Sequence, residues 1–147
     1  MSESLNFNVV NALPFTPNLG PTVLVVEDNR RQRAKLVNEL GDWNVLPLIA
    51  VNAHEAINIA AAERPELILM DGLLPGMHGF EAARYIRHLD SAYRPFIVLT
   101  TAVYKGIRYE NEAKLKWGID LYVHKPVQTE ELARMFAAYD RMTRSVA

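Results

Sequence analysis

The sequence predicts an α/β domain: a doubly wound, five-stranded parallel sheet with helices on both faces. Three observations carry this. Short, continuously apolar runs occur at residues 22–27 (TVLVVE), 45–51, 67–71 (LILMD), 96–101 (FIVLTT) and 121–124. They lack the polar alternation of a half-exposed strand, so they read as strands buried on both faces. Longer stretches with helical spacing separate them, which is the pattern of crossover helices on a parallel sheet. The chain has 147 residues, 50% of them hydrophobic, enough for one domain with a substantial core.

The elements follow in order. After the first strand, Leu36, Val37 and Leu40 form an inward stripe, with Arg30, Arg31, Arg33 and Lys35 on a solvated face. Gly41 stands where a glycine just past the last turn would end that helix. Asn52, with Glu55 three residues on, resembles a capping box opening the second helix. Ala56, Ile57, Ala60 and Ala61 give that helix its face, and Pro65 ends it. Phe80, Ala83 and Ile86 mark the third helix, and Trp117-Gly118 closes the fourth. Thr129, with Glu130 and Glu131 in the first turn, starts the fifth, whose stripe is Leu132, Met135, Phe136 and Tyr139. Residues 1–20 lie outside the pattern. Leu5, Phe7 and Val9 alternate there, which leaves open an edge strand, a packed arm or a disordered one. The expected division is an arm at 1–20, the domain at 21–144 and a tail at 145–147.

Composition removes several function classes. A formal charge of −1, from 16 basic and 17 acidic side chains, does not suit a nucleic-acid wrap. The absence of cysteine removes disulfides, thiolate zinc sites and thiol catalysis. No apolar run approaches the roughly 18 to 20 residues of a membrane span. The first basic residue is Arg30, too late for a signal peptide. A cytoplasmic location is the resulting expectation. His54, His78, His88 and His124 do not pair at metal-ligand spacing.

Ligands of an open α/β sheet bind beyond the carboxyl ends of the strands. Here the first strand ends in Glu27-Asp28, the third in Asp71 and the fourth in Thr100-Thr101, and Lys125-Pro126 follows the fifth. In the flavodoxin-like strand order 2-1-3-4-5, strands 1 and 3 are neighbours about 4.8 Å apart. Glu27, Asp28 and Asp71 then converge. Three carboxylates so close repel one another unless a cation is present, and a hard divalent ion such as Mg²⁺ suits oxygen ligands. Strand 5 lies roughly 10 Å from strand 3, a gap that a lysine stem can cross. An acidic metal pocket flanked by Lys125 and the Thr100 hydroxyl is what a phosphoryl group on a carboxylate requires.

The segments VLVVEDN (23–29), LILMDGLLPGMHG (67–79), FIVLTT (96–101) and YVHKP (122–126) together resemble the receiver domains of bacterial two-component response regulators, of the chemotaxis-type single-domain kind. The resemblance runs from about Pro21 to Arg144. It implies that Asp71 is the phosphoacceptor, taking its phosphoryl group from a histidine kinase or a histidine phosphotransfer protein. It implies Mg²⁺ held by Asp28 and Asp71, by Glu27 mainly through water, and by the backbone carbonyl of Leu73. Lys125 would pair with the phosphoryl oxygens. Thr100 would move to the phosphoryl group, and Tyr122 would turn inward behind it. Pro75, Met77 and Gly79 match the loop after the acceptor, and Lys125-Pro126 matches a lysine–proline pair that is usually cis. A homodimer through the faces of the fourth and fifth helices is a further expectation.

Some features depart from the pattern. Glu66 stands where an aspartate is usual. The stretch from Thr100 to Lys125 is two or three residues long for the family, with the excess around the fourth helix. Leu73 offers no polar side chain to orient an attacking water, so slow self-dephosphorylation is expected. Competing readings fit less well. A Mg²⁺-dependent phosphatase of the haloacid-dehalogenase type needs an acid at Leu73. A flavin carrier needs a hydroxyl-rich phosphate loop where EDNRRQR stands. A receiver fold kept only for protein contacts has no use for an intact acidic set. The expected product is a signal, so the chain is not read as a metabolic enzyme, and its downstream protein target is not legible.

Overall fold

The computed structural model describes residues 20–102, 111–112 and 115–146. In chain order the elements are β1 (Val23–Val26), α1 (Arg30–Gly41), β2 (Leu48–Ala50), α2 (Ala53–Glu63), β3 (Leu67–Asp71), α3 (Gly79–Arg87), β4 (Phe96–Thr101), β5 (Leu121–His124) and α4 (Thr129–Val146). Residues 111–112 and 115–117 are also helical. They belong to the fourth helix of the sequence reading, so α4 is the helix expected as the fifth. The arm at 1–19 and most of the long connection after β4 lie outside the described residues.

All strands are parallel, in the order β2-β1-β3-β4-β5. β1, β3, β4 and β5 contribute alternate residues to two separate cores, while the edge strand β2 feeds only the first, through Leu48 and Ala50, and leaves Ile49 exposed. Leu24, Val26, Ile68, Met70, Ile97 and Leu99 pack with Ala56 and Ala60 of α2 and Ala83 and Ile86 of α3. Val25, Leu67, Leu69, Phe96, Val98 and Val123 pack with Leu36 and Leu40 of α1 and with Leu132 and Met135 of α4. Helices on both faces explain why the strands show no polar alternation.

Several local devices differ from the sequence reading. Gly41 is the last residue of α1, the cap is Asp42, and the left-handed residue is Asn44 at φ 58°. Asn tolerates that conformation better than most side chains. Asn52 caps α2 as expected, its Oδ1 accepting from Glu55 N–H at 2.8 Å, but the Glu55 carboxylate reaches back to Val51 N–H. Ala61 is exposed, and Ala53 takes its place on the buried face. Glu66 binds both Thr22 N–H (2.9 Å) and, through its own N–H, Thr22 Oγ1 (3.0 Å), clamping the starts of β1 and β3. Arg87 donates to the Gly118 and Pro95 carbonyls and to Asp120, joining the end of α3 to the residue before β4 and to the segment leading into β5. Gly118 sits at φ +73°, where a side chain would be strained and would also press on Arg87.

Candidate active site

Strand parity selects which polar side chains meet. Asp71 continues the Leu67–Leu69 face of β3, and Thr100, its partner in register, continues the Phe96–Val98 face of β4. Glu27 extends the Val23–Val25 face of β1, and Lys125 extends the Leu121–Val123 face of β5. All four therefore lie on the sheet face covered by α1 and α4. Thr101 and Tyr122 fall on the opposite parity, with Leu99. Parity thus distinguishes the two adjacent threonines: only Thr100 shares a face with Asp71. Tyr122 is buried, with its ring edge-on to His124.

The carboxylates are fixed by specific bonds. Asp71, 7% exposed, accepts from Leu73 N–H on Oδ1 (2.9 Å) and from the Lys125 ammonium on Oδ2 (2.9 Å). Glu27, 1% exposed, accepts from Asn29 N–H on Oε2 (3.1 Å) and from Lys125 on Oε1 (2.8 Å). Asp28 is exposed at the mouth. Lys125 precedes a cis bond to Pro126. Its N–H is held by the Thr101 carbonyl at 2.9 Å, so the strand end aims the side chain across β4. Burial draws the ammonium's pKa down, but its bonds to Glu27 and Asp71 and their charges outweigh this, and the net shift is upward. Lys125 therefore stays charged. Oxygen atoms from Glu27, Asp28 and Asp71 lie within 4.8 Å of one another. An all-oxygen, anionic set with one open, exposed member fits a hard divalent cation that keeps part of its water shell.

Glu27 has a testable electrostatic signature. Burial raises its carboxyl above the ordinary range; the Lys125 bond offsets part of this and the Asp71 charge adds to it. A carboxyl raised in the folded state favours folding at low pH, and that contribution is lost as pH rises through its folded value. Ionised Glu27 is then a net cost to the metal-free fold at neutral pH. Glu27→Gln is expected to raise stability at pH 7 without metal by about 1 kcal/mol, a typical single-site change. It is also expected to reduce the stabilisation by Mg²⁺. Urea midpoints with and without Mg²⁺ check both; a lower midpoint without metal contradicts the reading.

Two contributors were missed from the sequence. Gln32 Oε1 accepts from Lys125 Nζ at 2.7 Å. Arg33, expected on a solvated face, donates to the Glu27 carbonyl (2.9 Å) and lies 3.4 Å from that of Asp28. Both sit in the first turns of α1, where an Asn29 cap would have signalled side chains bent back toward the strand end.

The chain matches the response regulator receiver domain family over residues 23–137. The response regulator MprA of Mycolicibacterium vanbaalenii is 34% identical over 122 residues, 82% of this chain and 51% of that protein. The receiver domain of a sensor histidine kinase from Pseudomonas aeruginosa, solved with a magnesium ion coordinated in its active-site cleft, is 28% identical with a TM-score of 0.71, covering 82% of this chain and 97% of that one. A co-crystal of a Saccharomyces cerevisiae histidine phosphotransfer protein with the receiver domain of its downstream response regulator gives 30% identity and a TM-score of 0.73, covering 84% of this chain and 92% of that one. The chain spans about half the length of several curated relatives it matches. The strand order, the acidic strand ends and the family match over most of the sequence agree: the chain belongs to the response regulator receiver domain family.

Proposed function

We propose that this domain is a phosphoacceptor switch of a two-component system or phosphorelay. A carboxylate oxygen of Asp71 forms the bond to phosphorus as the P–N bond of a phosphohistidine breaks, and the electron pair returns to the imidazole. The observation that carries this is the arrangement around Asp71: a carboxylate at a strand end, held on one oxygen by Leu73 N–H and on the other by Lys125. Mg²⁺, when bound, would neutralise phosphoryl charge, with Asp28, Asp71 and the Leu73 carbonyl as direct ligands and Glu27 acting through water. Lys125 would hold the phosphoryl oxygens by its charge. Thr100, on the same sheet face, would supply a hydroxyl, and Tyr122 would carry the change to the other face. The magnesium-bound relative supports the metal assignment, and the yeast co-crystal supports a phosphotransfer partner.

The domain would modify itself and signal to a protein target, acting in the cytoplasm and turning over no other substrate. Incubation with acetyl phosphate and Mg²⁺ is expected to add the mass of one phosphoryl group to the intact protein, and Asp71→Asn is expected to add none. A folded wild-type protein that gains nothing refutes the reading.

A further inference from the structure

The N-terminus of α1 carries Asn29 at the cap and Gln32 three residues later, the spacing of a reciprocal capping box. Only half of the box forms. Asn29 Oδ1 accepts from Gln32 N–H at 2.9 Å, but the Asn29 N–H is taken by Glu27 Oε2 at 3.1 Å. The Gln32 side chain is thereby released from the helix end, and its Oε1 accepts from Lys125 Nζ at 2.7 Å. Lys125 returns to Glu27 Oε1 at 2.8 Å. The result is a closed ring of hydrogen bonds, Glu27 to Asn29 to Gln32 to Lys125 and back to Glu27. It joins the end of β1 and the start of α1 to the residue after β5.

An ammonium has three N–H donors, and here they go to Glu27, Asp71 and Gln32. The chemistry proposed above alters two of these acceptors. Asp71 would carry the phosphoryl group, and Glu27 would turn toward a cation. Gln32 is neutral and stands on the helix side, so neither event changes it. We propose that Gln32 is a positioning residue for Lys125: it anchors the ammonium at the mouth of the pocket while the other two N–H bonds are re-aimed to the phosphoryl oxygens. This rests on the phosphoacceptor reading. Without the anchor the flexible four-carbon stem regains its rotamers, and phosphoryl charge is met by a mobile cation.

The test compares wild type with Gln32→Met, which keeps the stem and removes the acceptor. With acetyl phosphate and saturating Mg²⁺, the rate of phosphoryl uptake is expected to fall about 3- to 10-fold, the scale of one charge-assisted hydrogen bond at a part-exposed site. In a Lys125→Ala background the same change is expected to alter the residual rate less than about twofold, since the two residues act as one unit. An undiminished effect in that background overturns the proposal, as does an unchanged rate in the single variant. A second readout needs no chemistry. The ε-methylene of Lys125, followed by carbon relaxation in metal-free protein, is expected to gain mobility in Gln32→Met and to recover in Gln32→Glu, which restores an acceptor. Unchanged mobility also overturns the proposal. Absence of uptake by the wild type defeats the phosphoacceptor reading itself, and is distinguished by that control.

Discussion

Lys125→Met is expected to lower stability at neutral pH by about 3 kcal/mol and to slow phosphoryl uptake from acetyl phosphate at least about tenfold. The pocket holds two nearly buried carboxylates, Glu27 and Asp71, bridged by this one ammonium. Breaking a buried pair by removing one partner costs more than the pair itself is worth, because uncompensated charge stays behind. Glu27, already raised by burial and by the Asp71 charge, loses the Lys125 bond that offsets this and is pushed further toward protonation, so the loss should shrink on acidification. Added Mg²⁺ should recover more stability in the variant than in the wild type, since the cation replaces the missing charge. This is the mirror of Glu27→Gln, which removes a negative charge from the same pocket and is expected to stabilise it. Urea midpoints with and without Mg²⁺, alongside the uptake rate, check the pair. Equal midpoints for wild type and Lys125→Met would mean that the bridge carries no charge balance.

Gly79→Ala is expected to destabilise by about 2–4 kcal/mol, although alanine is the better helix former by about 1 kcal/mol. Gly79 is the first residue of α3, and its N–H donates to the Gly72 carbonyl at 3.0 Å. A Cβ there would overlap the Asp71 carbonyl oxygen and stand 3.0 Å from the Asp71 carbonyl carbon and Gly72 Cα. Those obstacles are backbone, so no rotamer change relieves them. Either α3 withdraws from β3 or the Asp71 peptide tilts, and both disturb the proposed phosphoacceptor. Gly41→Ala is the control: no neighbour lies within 4 Å of its added Cβ, and its helical conformation suits alanine. That variant should gain about 0.5–1 kcal/mol. If Gly79→Ala matches it in urea, the close approach of α3 to the Asp71 peptide is not real.

The strands and the acidic pocket were legible because their signals are long-range in effect but local in sequence. An apolar run that ends in Asp71 or in Glu27-Asp28 announces both a buried strand and a polar carboxyl end, where open α/β sheets bind their ligands. Thr100 needed more, since it and Thr101 are alike in sequence and only the alternation of β4 assigns one of them to the Asp71 face. Gln32 and Arg33 were hidden for the opposite reason. Polar residues on a helix usually face water, and nothing local shows that β5 delivers an ammonium beside α1. The Arg87 junction was equally hidden, since most of its partners are backbone carbonyls that sequence does not distinguish. At Gly41 the glycine signal was sound but the chain turns three residues later, at Asn44.

The central claim is that Asp71 carries the phosphoryl group. An acyl phosphate can be trapped by hydride reduction, which turns the modified carboxyl into an alcohol and leaves free carboxylates unchanged. After acetyl phosphate, Mg²⁺ and reduction, peptide mapping is expected to place the change at residue 71 alone. A change at Glu27 or Asp28, or phosphoryl uptake that leaves residue 71 unmodified, would contradict the account.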